Sequence, residues 1–230
     1  MTENVTGEAV LQRDGRTYGL VVGGAGGVVT PEELERIART ARDFAVPLVK
    51  LTTGQRIALL GIAESDLEGV ATALGLGGFG SPGPCLKYVT ACPGVSACRW
   101  GMQDALALAA ALEARFAGRA LPGKLKIGVS GCTRNCASCF SRDLAFIGTD
   151  RGWTVLFGGN GGRRPRTGDV VGANLADDHA LDLASRLIEH YAANARSKER
   201  TARFVERVGP GTIRDEVLRF APYLPLENAT

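Results

Sequence analysis

The spacing of apolar positions divides the N-terminal third of the chain into a strand–helix–strand–strand–helix run. T-Y-G-L-V-V (17–22) has the β-branched, apolar character of a strand and is followed by a Gly-rich turn. Thr30-Pro31-Glu32-Glu33 then opens a helix, with Thr30 as N-cap, Pro31 in the first turn and Glu33 completing a capping box. Leu34, Ile37, Ala38 and Ala41 fall on one face of that helix. V-P-L-V-K-L-T (46–52) and R-I-A-L-L-G-I (56–62) predict two strands joined by a turn at Thr53-Gly54. A second helix is predicted over 65–75, capped by Ser65, with Leu67, Val70, Ala71 and Leu74 turned inward. Such a unit is a small sheet with helices on one face.

The pattern then breaks at L-G-L-G-G-F-G-S-P-G-P (74–84), whose glycines and prolines mark a boundary. Two domains are therefore expected, 1–78 and 79–230. In the second, L-K-Y-V-T (86–90) predicts a strand and an Ala/Leu-rich stretch predicts a helix over about 96–117. K-L-K-I-G-V-S (124–130), D-L-A-F-I-G (143–148) and W-T-V-L-F-G (153–158) predict three more strands. Residues 158–169 read as a loop and about 177–207 as helical.

Composition narrows the class. The chain has 230 residues, 45% of them hydrophobic and 22% charged, which suits a globular protein with a real core. Its net charge of +3 is too small to argue for a nucleic-acid partner. No apolar run approaches the length of a membrane span. The opening M-T-E-N-V-T-G-E is polar and acidic, unlike a secretory signal, so a cytoplasmic setting is expected.

That setting changes the meaning of the six cysteines, at 85, 92, 98, 132, 136 and 139. In a reducing compartment, thiols clustered this closely point to metal ligation or catalysis rather than to disulfides. C-T-R-N-C-A-S-C (132–139) has the C-x3-C-x2-C spacing of radical S-adenosylmethionine enzymes, yet too little chain follows it for a barrel of ordinary size. A zinc site would draw on four of the six, although there is one C-x2-C pair and both histidines, His179 and His190, lie in the C-terminal helical region. The third pattern joins C-P-G-V-S-A-C (92–98) to C-T-R-N-C (132–136), and four thiolates suit the soft irons of a [4Fe–4S] cluster. Gly23-Gly24-Ala25-Gly26-Gly27 does not fit the G-x-G-x-x-G dinucleotide fingerprint and reads as a turn.

The chain resembles the nitrite and sulfite reductases that couple sirohaem to a [4Fe–4S] cluster. The resemblance rests on Cys92, Cys98, Cys132 and Cys136 in C-x5-C…C-x3-C order. It also rests on L-T-T-G-Q-R-I-A-L-L-G-I (51–62), A-C-P-G (91–94), W-G-M-Q-D (100–104), L-P-G-K-L-K-I-G-V-S-G-C (121–132), G-W-T-V-L-F-G-G-N-G-G (152–162) and N-A-R-S-K-E-R-T (194–201). It runs from about residue 8 to 220. It implies an α+β fold, with a ferredoxin-like N-terminal half-domain, a C-terminal cluster domain and sirohaem between them. It implies cluster ligation by the four cysteines, with Cys136 bridging to the haem iron. It also implies reduction of a small anion, sulfite or nitrite, with electrons from a ferredoxin or flavoprotein, and a second copy of the chain as a further partner. The alternatives are an electron-transfer subunit of a larger redox complex that carries the cluster but turns over no substrate, and a non-catalytic zinc-binding module. Sirohaem is rich in carboxylates and the substrate is an anion, so cations are expected around both. Arg56, Lys87, Lys124 and Lys126 are assigned to the substrate; Gln55, Arg99, Arg134, Arg142, Arg164 and Arg166 to the cofactor. Lys124 and Lys126, two apart in a strand, share a face. Cys85 and Cys139 are read as structural thiols, with tuning of the cluster as the alternative for Cys139.

Overall fold

In the computed structural model, residues 9–76 and 83–219 are described, and the chain divides into two compact units at Pro82/Gly83. Part of the Gly/Pro-rich stretch read as a boundary lies outside the described residues.

The first unit contains β1 (Ala9–Leu11), β2 (Thr17–Val22), α1 (Pro31–Asp43), β3 (Leu48–Leu51), β4 (Ile57–Ala63) and α2 (Leu67–Ala73). Its antiparallel sheet has the order β1-β2-β4-β3. Because β2 and β3 both run against β4, which lies between them, α1 crosses over the sheet to link two parallel strands. Leu20, Val22, Ile57, Leu59 and Ile62 from the sheet meet Ile37 of α1 and Leu67, Val70 and Leu74 of α2. The capping box forms as expected, with Glu33 N–H donating to Thr30 and Thr30 N–H donating to the Glu33 carboxylate. At α2 the expectation differs: a 3₁₀ turn, Glu64–Asp66, precedes the helix, and the Ser65 hydroxyl donates to Asp66 instead of capping. Strand β1 carried no sequence signal beyond three residues and was not expected.

The second unit runs β5 (Leu86–Ala91), α3 (Ala105–Phe116), β6 (Leu125–Ser130), β7 (Leu144–Thr149), β8 (Gly152–Phe157), β9 (Asp169–Leu175), α4 (Asp177–Asn194), α5 (Thr201–Val208) and α6 (Pro210–Leu218). The sheet keeps chain order, β5 to β9, parallel for β5-β6-β7 and antiparallel from β7 to β9. Its two faces carry different loads. Val89, Ile127, Val129, Leu144, Phe146, Trp153, Val155 and Phe157 pack on Leu108 and Leu112 of α3 and on Leu183, Leu187 and Tyr191 of α4 in the main core. The opposite face holds a smaller cluster, Ala145, Ile147 and Leu156, capped by Ala137 and Cys139 from the cysteine-rich loop. That loop therefore lies across the sheet as part of its packing.

Three expectations shift here. The helix predicted from 96 begins at Ala105, because the chain from Gly94 to Gln103 is wound into turns and Asp104 provides the cap by accepting from Ala107 N–H at 3.0 Å. The loop expected at 158–169 is followed by β9, which escaped the reading. The helical C-terminal region is three helices, with a turn after Asn194 where Ala195 leaves helical geometry. Among the described residues no helix is long and apolar enough to cross a membrane.

Candidate functional site

Strands β5 and β6 pair in parallel and end side by side, and each runs directly into a cysteine: Cys92 after Ala91, and Cys132 two residues after Ser130. The two loops that follow are interlocked. Met102 N–H and Gln103 N–H both donate to Gly131 C=O (2.7 and 3.0 Å), Val95 N–H donates to Gln103 C=O, and Gln103 Nε2 reaches Thr149 C=O at 2.8 Å. Backbone crosses backbone so closely that a Cβ on Gly131 would lie 2.7 Å from Gly94 Cα and 2.7 Å from Gln103 O, so glycine is needed there. The A-C-P-G, W-G-M-Q-D and S-G-C segments are thus one interlocked construction, with Cys92 and Cys98 on one of its loops and Cys132 and Cys136 on the other.

A stacked clasp joins the same loops at the surface. The Trp100 indole carries the Arg99 guanidinium at 4.7 Å and the Arg134 guanidinium at 4.3 Å from its centroid. Arg99 comes from the first loop and Arg134 from the second. The second loop is a run of tight turns, with Asn135 and Ser138 both in left-handed conformation. Cys139 N–H donates to Asn135 Oδ1 at 2.5 Å, and Ser130 Oγ accepts from Ala137 N–H (3.0 Å) and the Cys139 thiol (3.2 Å). Burial pushes the Cys139 thiol up to about 11, so it stays a neutral packing group. This fits the structural role read for it.

The four ligand candidates differ in exposure. Cys92 and Cys132 are buried, Cys98 is half-buried and Cys136 is exposed; all four are free thiols. Gly131 N–H donates to Cys92 Sγ at 3.1 Å, the kind of backbone contact that stabilises a ligated thiolate. No three His, Cys, Asp or Glu side chains among the described residues converge tightly enough to hold one metal ion. A cubane offers four separate irons, one per thiolate, so four thiols spread over two loops fit it better than they fit zinc.

The expected cations sort by position. Lys126 is half-buried on β6 and Lys124, exposed, precedes that strand by one residue; both alternate with the buried Leu125, Ile127 and Val129, so they do share a face. Lys87 sits at a bulge in β5, where the register against β6 shifts between Leu86 and Tyr88. Arg142 lies along the sheet, donating through Nε to Ala137 C=O (3.3 Å) and through Nη1 to the Tyr88 hydroxyl (3.3 Å). Arg164 is exposed, and its C=O accepts from Asn160. The Arg166 guanidinium is committed within its own hairpin, to Gly158 C=O, Thr167 C=O and Asp169.

In the first unit, Gln55 (φ 57°) and Arg56 follow a tight turn in which Gln55 N–H donates to Thr52 C=O at 3.1 Å and Arg56 N–H to Thr52 Oγ1 at 3.2 Å. Arg56 is buried. The Gly-rich segment packs against this turn: a Cβ at Gly23 would come within 3.1 Å of Arg56 Cδ, and one at Gly27 within 2.8 Å of Gln55 Cβ. Its glycines serve close packing, consistent with its reading as a turn.

Two groups escaped the sequence reading. Asp143, 2% exposed, accepts from Lys126 N–H, Thr201 Oγ1 and Arg200 Nη2, fastening the lysine-bearing strand to the start of α5. Burial pushes its carboxyl up, while Arg200 and Thr201 pull it back. Nothing local in the sequence marks it, although N-A-R-S-K-E-R-T, which supplies its partners, was noticed. Tyr88 is the second, and its signal was hidden by the bulge.

Comparison with known proteins agrees with this geometry. Residues 82–222 match the family described as nitrite and sulphite reductase 4Fe-4S domain, and residues 10–76 match the nitrite/sulfite reductase ferredoxin-like half domain. The chain is 40% identical to an assimilatory-type sulfite reductase of Nitratidesulfovibrio vulgaris, over 91% of this chain and 96% of that protein. It is also 40% identical to an NAD(P)H nitrite reductase of Bacillus subtilis, over 87% of this chain but 25% of that longer protein. Among solved structures, a dissimilatory sulfite reductase shares the fold, with a TM-score of 0.77 at 16% identity over 87% of this chain and 69% of that one. Two interlocked cysteine loops, a separate N-terminal unit that matches the half domain, and these relatives have one reading: the chain belongs to the nitrite and sulphite reductase family, whose cofactors are a [4Fe–4S] cluster and sirohaem.

Proposed function

We propose that the protein reduces sulfite to sulfide, or nitrite to ammonia, using electrons from an external ferredoxin or flavoprotein. The observation that carries this is the graded exposure of the four thiols on the interlocked loops: Cys92 and Cys132 are buried, Cys98 is half-buried and Cys136 faces outward. Three shielded ligands and one exposed ligand suit a cluster that is held on one side and shared on the other. When bound, the cluster and sirohaem supply the multi-electron chemistry.

The chain's own residues do the rest. Cys92, Cys98, Cys132 and Cys136 hold the cluster, and Gly131 N–H stabilises the Cys92 sulfur. Lys124 and Lys126 present ammonium groups on one face, where they attract an oxyanion and can release protons to it. Gln55, Arg56, Lys87, Arg99, Arg134, Arg142 and Arg164 are assigned to the substrate and the cofactor carboxylates, whereas Arg166 would have to give up its bonds to Gly158, Thr167 and Asp169 to join them. The half-domain is taken to end near residue 78, and the setting to be cytoplasmic. A second copy of the chain is the proposed further partner.

The test is anaerobic purification followed by absorption spectroscopy and metal analysis. A sirohaem Soret band with a band in the red, and iron and labile sulfide each near four per chain, are expected. A colourless zinc protein would overturn the reading. Turnover of sulfite against nitrite with an artificial reductant then decides the substrate.

A further inference from the structure

On the sheet face that carries the cysteine-rich loop, two cations share one aromatic ring. Lys126 Nζ lies 5.6 Å, and the Arg142 guanidinium carbon 5.7 Å, from the centroid of Tyr88. The negative π-system of the ring attracts each of them. Neither Lys126 nor Arg142 has a carboxylate partner among the described residues. The nearby acid, Asp143, is taken up by Arg200, Thr201 and the Lys126 backbone.

The placement of Tyr88 has a definite cause. Leu86 pairs with Leu125 and Tyr88 pairs with Lys126, so β5 spends one residue more than β6 across this step, and Lys87 is the extra one. Without the bulge, Tyr88 would fall on the same side as Leu86 and enter the main core. With it, Leu86 and Val89 point into the core and Tyr88 turns to the face of Lys126. Gly128 completes the arrangement: a Cβ there would lie 2.7 Å from Arg142 Cγ, so only glycine lets the arginine lie flat along β6. Arg142 then reaches Ala137 C=O, next to Cys136, with Nε, and the Tyr88 oxygen with Nη1.

The phenol oxygen thus accepts from Arg142, and among the described residues its own proton has no acceptor. Two unneutralised cations and a hydroxyl with a proton to give describe one kind of ligand. We infer that Tyr88, with Lys126 and Arg142, forms an oxyanion site in which the Tyr88 O–H donates directly to the bound anion. The shared chemistry is that of sulfite, nitrite or a carboxylate of the cofactor. The inference rests on the proposed function only for which of these arrives.

The experiment compares wild type with Tyr88→Phe, which keeps the ring beneath both cations and removes the hydroxyl. Sulfite binding is measured calorimetrically on the protein as purified, and sirohaem content by its absorbance on the same samples. About tenfold weaker sulfite binding at unchanged haem content is expected if the anion is the substrate, the loss appropriate to one hydrogen bond to a charged group. Haem content falling severalfold while the melting temperature holds would instead support the site with a cofactor carboxylate as its anion. Unchanged sulfite affinity together with unchanged haem content overturns the inference, as does a change confined to the melting temperature. A wild type that holds no sirohaem defeats the proposed function alone, because the sulfite titration still distinguishes the two proteins.

Discussion

Asp143→Ala should cost far more than a surface charge, and the amount follows from what its carboxylate holds. Three donors converge on it: Lys126 N–H at 2.9 Å, Thr201 Oγ1 at 2.6 Å, and Arg200 Nη2 at 2.9 and 2.7 Å to the two oxygens. Thr201 is fully buried and Lys126 N–H lies at a strand interior, so neither regains water when the acceptor goes. Each stranded donor costs roughly 1–3 kcal/mol. The Arg200 side chain is 35% exposed and can turn to solvent, so its share is small. A destabilisation of about 3–4 kcal/mol is expected for Asp143→Ala, and about half that for Asp143→Asn, which keeps one acceptor oxygen and the shape.

Urea unfolding followed by tryptophan fluorescence isolates the effect. Both tryptophans of the chain, Trp100 and the fully buried Trp153, lie in the second unit, so the signal reports on the unit that contains Asp143. The midpoint should fall with little change in slope. Thr201→Val added to Asp143→Ala should cost less than the two separately, since they share one bond. A loss below about 1 kcal/mol for Asp143→Ala, or an Asn variant as damaged as the Ala variant, would refute the account of this junction.

Other expectations follow from the same geometry. Replacing any one of Cys92, Cys98, Cys132 or Cys136 by Ser should strip most iron and labile sulfide from the purified protein, whereas Cys139→Ala should leave both near the wild-type content. Glu199 is held down to about 2, below its usual 4.5, chiefly by its hydrogen bonds from Arg207. Its contribution is therefore fully present above about pH 4.5 and lost as pH falls toward 2; Glu199→Gln should be about 1–2 kcal/mol less stable at pH 7, with the gap closing over that acid range in urea titrations. Gly27→Ala combines a left-handed backbone (φ 77°) with a methyl 2.8 Å from Gln55 Cβ, and should cost the first unit about 2 kcal/mol in thermal unfolding monitored by circular dichroism.

How far the sequence could be read depended on whether a signal was local. The capping box at Thr30 and Glu33 and the alternation of Leu125, Ile127 and Val129 with Lys126 are each written within a few residues, and each is found in the fold, while C-x5-C and C-x3-C are carried on the interlocked loops that follow β5 and β6. What failed was non-local. Helix α3 was begun too early because nothing within S-A-C-R-W-G-M-Q-D (96–104) marks the crossing that Gly94, Gly101 and Gly131 make backbone to backbone before Asp104 can start the helix. Asp143 meets its partners across the unit, from a strand in the middle of the chain and a helix near its end, so no window of sequence contains them. Tyr88 is the sharper case. Period-two alternation from Leu86 sends it into the core, and only the one-residue slip at Lys87, visible against β6, turns it toward Lys126 and Arg142. An inserted residue in a strand leaves composition and motif untouched yet reverses which side chains face the chemistry. The residues most open to misassignment in this family of motifs are therefore those just after such a slip, and Lys87, whose own direction the slip resets, belongs among them.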